Sequence, residues 1–325
     1  MKKVYFILPE GDIRTGSVFI AIEAFDVINQ YIIDQGGAPY YDIKIAGRGL
    51  SRSVWNSTVR LKAGDISKLE RPDLIIIPGL SEKNDYSGKK NRALVKWIIE
   101  QYNEGTELAS MCTGSFLLAA TGLLRDMECT THWNAGKLFT AMYPDTRLCA
   151  DKIITDCKGI YTAGGATSSL NLLLYLIEKY NGRQAAIYCA KMMQIDIDRN
   201  SQSAFVIFEG QKDHADAEIK KVQTFIEKNI EDKITVDLLA EKFLIPKRSL
   251  IRRFKKAAHS TPIEYIQRVK MEAAKRNLEI NRKSINDIMY EVGYSDIKAF
   301  RTIFKKIAGL SPIEYRKKYN KDYAA

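Results

Sequence analysis

The sequence predicts an α/β sandwich built on a parallel sheet, followed by an all-α domain that holds two helix-turn-helix units. Three observations lead there. Short apolar segments alternate with helical ones through the first part of the chain. The alternation ends in a polar stretch, EGQKDHADA, at 209–217. Beyond it a helical block recurs at an offset of 50 residues.

The apolar segments 4–8 (VYFIL), 41–46 (YDIKIA), 74–77 (LIII) and 108–111 read as short strands. Helical patterns lie between and after them. Residues 93–102 put Leu94, Trp97, Ile98 and Gln101 on one face, and 114–120 is small and apolar. Residues 168–180 carry Leu170, Leu173, Leu174 and Ile177 at helical spacing. Strands alternating with helices imply a parallel sheet covered on both faces. The predicted division is a first domain at 1–208, a linker at 209–217 and a helical domain at 218–325.

Composition narrows the class. The chain has 325 residues, 46% apolar and 27% charged, which is ordinary for a globular protein. It shows no signal-peptide pattern and no apolar run near the ~20 residues of a spanning helix, so a soluble, cytoplasmic protein without membrane contact is expected. The five cysteines (Cys112, Cys129, Cys149, Cys157, Cys189) are odd in number and none is spaced CxxC. That argues against a disulfide framework and a zinc site, and it fits a reducing compartment. Net charge is +11, and residues 211–325 account for +10 of it, with 26 basic and 16 acidic side chains. Such a concentrated field suits a polyanion partner, although a solvated lysine-rich surface gives the same count.

The repeat separates those two readings. LIRRFKKAAHSTPIEY (250–265) aligns with FRTIFKKIAGLSPIEY (300–315) without a gap, and upstream Asp237 and Glu241 align with Asp287 and Glu291. Each copy reads as helix, tight turn, helix. In the second, Ser284 caps a helix over 285–292, Gly293 supplies a positive φ, and Ser295 or Asp296 caps a helix running to about Ala308. Its apolar face is Ala299/Phe300, Ile303/Phe304 and Ile307, which leaves Ile297, Lys298, Arg301, Thr302 and Lys305 outward. In the first, Thr235 caps 236–242 and Pro246 opens the second helix. Leu250, Phe254 and Ala257 point inward, and Lys247, Arg248, Ile251, Arg252 and Lys255 stay exposed. The first turn has Phe243-Leu244-Ile245 and no glycine.

These segments resemble the AraC/XylS family of bacterial regulators over about 100 residues: LLAEKF (238–243), SLIRRFKK (249–256), TPIEYI (261–266), RVKMEAAKRNL (268–278), SINDIMYEVGYSD (284–296) and AFRTIFKKIAGLSPIEYR (299–316). His259 departs from the family's usual glycine, which Gly309 keeps. The resemblance implies double-stranded DNA as partner, with the second helix of each unit in the major groove and the heads about one turn, ~34 Å, apart. By position, Arg248, Ile251 and Arg252 then face bases from the first head, and Lys298, Arg301 and Thr302 from the second. Arginine grips guanine bidentately, a contact contributing ~1–3 kcal/mol of discrimination. Lys255, Lys256, Lys305 and Lys306 suit phosphates.

The first domain holds LASMCTGSFLLAATGLL (108–124), in which a strand enters and a small-residue helix leaves, with Cys112 at the turn. Backbone N–H groups at such a turn lower a thiol pKa and can form an oxyanion hole. TTHW (130–133) brings His132, the one histidine before the linker, and a cysteine near a histidine is the minimum for a thiol nucleophile. With PDLIIIPG (72–79) and YTAGGATSSLNLLLYLIEKYNG (161–182), this resembles the PfpI branch of the class I glutamine-amidotransferase-like superfamily. It is closer still to GlxA-type regulators, which join such a domain to an AraC-type reader. The resemblance implies a flavodoxin-like sandwich and a pocket at Cys112, Thr113, His132 and Gly79 that senses an unidentified small molecule. It also implies a homodimer, RNA polymerase as a candidate partner, no cofactor and no enzyme activity. The acid of hydrolytic members falls near Ser17, with Glu10, Asp12 and Glu23 nearby, and Asn171 stands where these regulators often have Asp. Two alternatives stay open: a PfpI-type cysteine hydrolase or amidase tethered to DNA, and a Cys112-based redox sensor. The plainer readings are a small residue fitting a crowded turn and a histidine buried beside Trp133.

Overall fold

The structure is a computed structural model, and it describes residues 1–47, 51–54, 59–81, 86–197, 201–210, 212 and 214–321. The chain divides into two units, Met1–Gln202 and Ser203–Ala325.

Eleven described strands belong to the first unit: β1 (Lys2–Leu8), β2 (Tyr41–Gly47), β3 (Ser51–Val54), β4 (Val59–Lys62), β5 (Gly64–Asp65), β6 (Leu74–Ile77), β7 (Glu107–Ser110), β8 (Glu128–Cys129), β9 (Arg147–Leu148), β10 (Ile154–Cys157) and β11 (Ile160–Ala163). Seven form one sheet in the order β10-β11-β7-β6-β1-β2-β5. All pairings in it are parallel except β10 with β11. The central strands β1 and β6 are covered on both faces, which is why VYFIL and LIII are unbroken apolar runs; Val4 through Ile7 and Leu74 through Ile77 are fully buried. β3 pairs with β4 and β8 with β9 in two small sheets.

The helices of this unit are α1 (Thr15–Asp34), α2 (Arg92–Asn103), α3 (Ser115–Ala120), α4 (Gly136–Met142) and α5 (Ser168–Met192). α5 is kinked at Gly182, where φ is 84°. α1 is not anticipated by spacing, because its apolar residues surround much of its circumference. By length and composition it is also the one described helix apolar enough to cross a membrane. It carries Glu23 and Asp26 and buries Val18, Ala21, Ala24, Phe25 and Ile28, packing against α5 and β2 as the core helix of a covered sheet does.

The second unit is helical: α6 (Ala217–Lys228), α7 (Val236–Lys242), α8 (Lys247–Ala258), α9 (Pro262–Ile280), α10 (Ile285–Glu291), α11 (Ile297–Ala308) and α12 (Pro312–Tyr319). Every N-terminus but that of α8 is capped by a side chain: Asp216, Thr235, Thr261, Ser284, Asp296 and Ser311. Two separate apolar cores form. One gathers Leu239, Leu250, Phe254, Tyr265 and Ile266; the other gathers Met271, Leu278, Ile288, Phe300 and Phe304. Helix α9 gives its first half to one core and its second half to the other.

The segment read as the end of the first domain and the linker packs on this helical unit. Phe208 lies edge-on to Tyr265 at 5.3 Å, and His214 bonds Gln223 at 3.0 Å. Residues 211 and 213 of that stretch lie outside the described set.

Candidate nucleic-acid interface and ligand pocket

Each half of the second unit is a helix-turn-helix. In the second, the Ser284 and Asp287 side chains form a reciprocal capping box, Gly293 takes φ 68°, and Asp296 accepts from Lys298 and Ala299 N–H to start α11. In the first, Thr235 caps α7 and Leu244 takes the left-handed conformation at φ 52°, doing what glycine does in the other copy. The two α-helix caps Thr235 and Ser284 are 49 positions apart, whereas the C-caps His259 and Gly309 are 50 apart. The second turn therefore carries one extra residue. Asp237 and Glu241 are thus one position out of register with Asp287 and Glu291, which corrects the gapless alignment upstream of the turn. His259, like Gly309, is left-handed, with φ 53° and 71° respectively; this is the conformation that ends a helix at its C-cap.

The exposed sides of α8 and α11 differ in make-up. Arg248, Ile251, Arg252, Lys255 and Lys256 line one concavity on α8. Lys298, Arg301, Thr302, Lys305 and Lys306 are all exposed on α11. Among the described residues, none of the eight cations in these two sets forms an ion pair. Their neighbours do: Arg253 grips Asp216 bidentately at 2.9 and 2.6 Å, and Lys247 meets Asp237 at 2.7 Å. The Arg253 guanidinium holds the Asp216 carboxyl below the usual range. Three side chains sit differently from the periodicity. Ile251 and Ile297 are half-buried against their head's core, and Ala299 is exposed because the apolar face centres on Phe300 and Phe304.

In the first unit, β7 delivers Cys112 into a sharp turn at φ 53°, with the side chain buried. Glycine at 114 is required by contact: a Cβ there would lie 2.5 Å from the Ile77 carbonyl oxygen and 2.6 Å from that of Pro78. Thr113 donates to the Leu80 carbonyl at 2.7 Å. Gly79 sits beside Cys112, where a Cβ would come 3.4 Å from the Cys112 Cβ and 3.5 Å from the Arg14 side chain. Ser115 donates to Thr131 Oγ1 at 2.8 Å, and Thr131 donates to the Cys112 carbonyl at 3.3 Å, which ties the residue before His132 to the cysteine turn. The His132 ring accepts from Asn134 N–H at 3.1 Å and lies over Gly165, in the turn that leads into α5. Gln202, fully buried, closes this loop cluster. Its amide donates to the carbonyls of Thr131, Ala150 and Lys152 at 3.0, 3.1 and 2.9 Å and accepts from Gly165 N–H at 2.7 Å. Among the described residues no hydrogen bond reaches the Cys112 sulfur. Ser17, at the anticipated acid position, donates to the Arg14 carbonyl at 2.7 Å. Asn171 donates to the Asp196 carbonyl at 2.7 Å.

Residues 53–179 match the DJ-1/PfpI family, and residues 239–318 match the family described as helix-turn-helix domain. The chain joins a DJ-1/PfpI domain to an AraC-type helix-turn-helix domain.

The DJ-1/PfpI domain is similar in fold to an AraC family transcriptional regulator from Pseudomonas putida, at TM-score 0.51 and 18% identity over 59% of this chain and 100% of that one. Across both domains the chain is similar to the HTH-type transcriptional regulator CdhR of Pseudomonas aeruginosa, 25% identical over 90% of this chain and 82% of the relative. It is also similar to the HTH-type transcriptional regulator GbdR of the same organism, 24% identical over 69% of this chain. That match spans 61% of GbdR, less than two thirds of its length. Sequence reading of the DJ-1/PfpI domain missed Arg14, Gly165 and Gln202. Gly165 lay in the quoted YTAGGATSS run, but its role comes from a neighbour distant in sequence. Gln202 is one amide in a polar stretch, marked only by bonds that folding creates.

Proposed function

We propose that this chain is a sequence-specific transcription regulator whose AraC-type domain reads double-stranded DNA and whose DJ-1/PfpI domain senses a small ligand. The observation that carries the reading is the set of eight cations on α8 and α11 that form no ion pair among the described residues, beside cations that do. Such a face holds a positive field open to phosphates. Arg248, Ile251 and Arg252 read one half-site; Lys298, Arg301 and Thr302 read the other; Lys255, Lys256, Lys305 and Lys306 hold the backbone. The likeness to HTH-type transcriptional regulators supports reading the protein as a cytoplasmic homodimer with RNA polymerase as a candidate partner. Enrichment of the full chain on a pool of random duplexes tests this. The expected product is one motif with two unlike halves, bound with an affinity that falls linearly with salt on logarithmic axes. A pool that enriches no motif contradicts it.

The ligand pocket lies around Cys112, Thr113, His132 and Gly79. A hydrolase needs a base and an orienting acid at its thiol. The lack of any hydrogen bond to the Cys112 sulfur among the described residues, and the engagement of Ser17 with backbone, favour sensing over hydrolysis. Iodoacetamide labelling against pH separates the two: a Cys112 inert below about pH 8 removes the activated thiolate.

A further inference from the structure

Lys270 is buried at 5% exposure in the middle of α9, at the seam between the two apolar cores. Among the described residues it has no ion pair. Its ammonium donates to the Asp232 carbonyl at 2.8 Å and to the Gly293 carbonyl at 3.3 Å. Asp232 belongs to the loop that enters the first head, and Gly293 is the turn of the second. The heads also meet directly at that point. A Cβ on Gly293 would stand 2.4 Å from the Glu231 carbonyl oxygen and 2.5 Å from the Lys270 nitrogen. The Lys270 nitrogen lies 5.7 Å from the centre of the Tyr294 ring as well. Burial holds the Lys270 pKa below the ordinary lysine value.

We infer that Lys270 is the positioning residue that fixes one reading head against the other, and so sets the half-site spacing the protein accepts. The inference rests on the DNA-reading assignment. Its reasoning is local. An apolar seam tolerates sliding, because dispersion contacts have no fixed direction, whereas two hydrogen bonds from one buried ammonium fix the carbonyls of both heads. Buried polar groups that select one arrangement among several are known from helical assemblies, where one buried amide fixes register. A base pair added between half-sites turns the second site by about a tenth of a helical turn. A bolted pair of heads is therefore intolerant of insertion.

The test uses the full chain and the duplex it enriches, with one or two base pairs inserted or removed between the half-sites. Wild type is expected to lose affinity at least tenfold at altered spacing. Lys270→Met, which keeps the stem and removes both bonds, should bind an isolated half-site within twofold of wild type but lose the preference between spacings to within about threefold. Lys270→Arg should restore it. Lys270→Gln, which falls short of the Lys270 reach, is read the same way should Lys270→Met fail to fold. A folded variant that keeps the wild-type spacing ratio overturns the inference. A wild-type chain that enriches no motif overturns instead the DNA-reading assignment beneath it.

Discussion

The His132 imidazole lies so close over Gly165 that a methyl group added there would sit 2.4 Å from its Cδ2 and 2.8 Å from its Nε2. Glycine at that position is what lets the histidine loop close on the turn that leads into α5. Gly165→Ala must push the ring away and weaken the 3.1 Å bond from Asn134. A loss toward the low end of the roughly 1–3 kcal/mol typical of overpacking is expected in urea unfolding, because the His132 ring is half-buried. An unchanged midpoint would mean that the ring moves freely and that its place is not set by this contact.

The unlike turns of the two heads predict opposite signs. Leu244 is left-handed and 91% exposed. Leu244→Gly removes roughly 1–2 kcal/mol of backbone strain, loses no packing and gives back roughly 0.4–1 kcal/mol of chain entropy, so it should raise the melting temperature slightly. Gly293→Ala meets the same strain plus a backbone oxygen at 2.4 Å and should lower stability by at least about 2 kcal/mol. Thermal melts of both variants check the pair, and equal signs would refute the account of the turns.

Acid stability should depend on Glu107. This half-buried carboxylate accepts from Tyr161, from Tyr180 at 2.6 Å and from Lys2 at 3.3 Å. Burial pushes its pKa up, but the tyrosine and lysine bonds outweigh that and hold it below the ordinary glutamate value. A depressed folded pKa contributes stability above the unfolded value of about 4.3 that is lost as pH falls through the folded one. Burial, and then the bond to Glu107, hold the Tyr161 and Tyr180 phenols well above their ordinary value. Their share is present below about pH 10 and is lost as pH rises through the folded values. Glu107→Gln should flatten the acid limb of a urea-midpoint profile, and an acid limb as steep as wild type would rule the carboxylate out.

The lysines on the reading helices should give affinity without selectivity. Lys305→Ala and Lys306→Ala are each expected to weaken selected and unrelated duplexes alike, and to lower the slope of log affinity against log salt by about 1. Fluorescence anisotropy at four salt concentrations measures both. Weakening confined to the selected duplex would make them base readers.

Where the sequence carries its own punctuation, the fold was legible. Ser284, Asp296, Gly293 and Gly309 mark the second head, and each has the geometry its residue type announces. Strands β1 and β6 were legible because burial on both faces leaves unbroken apolar runs, and β2 because Ile43 and Ile45 alternate with Asp42 and Lys44. Helix α1 was not, since a helix apolar on most sides has no period to read, and β10 and β11 alternate with Thr155, Asp156 and Thr162 as loops do. In the loop cluster around Cys112, the turn was readable from its small residues, whereas Gln202 acts through partners up to 72 positions away. Lys270 reads as one more basic residue on a basic helix; only its burial sets it apart.

The central claim is that two unlike heads of one chain read two unlike half-sites. Footprinting of the enriched duplex with wild type, Arg252→Ala and Arg301→Ala tests it most directly. The account predicts that Arg252→Ala loses protection over one half of the site and Arg301→Ala over the other, while nonspecific binding persists in both. Two variants that footprint like wild type, or that lose the same half, would contradict it.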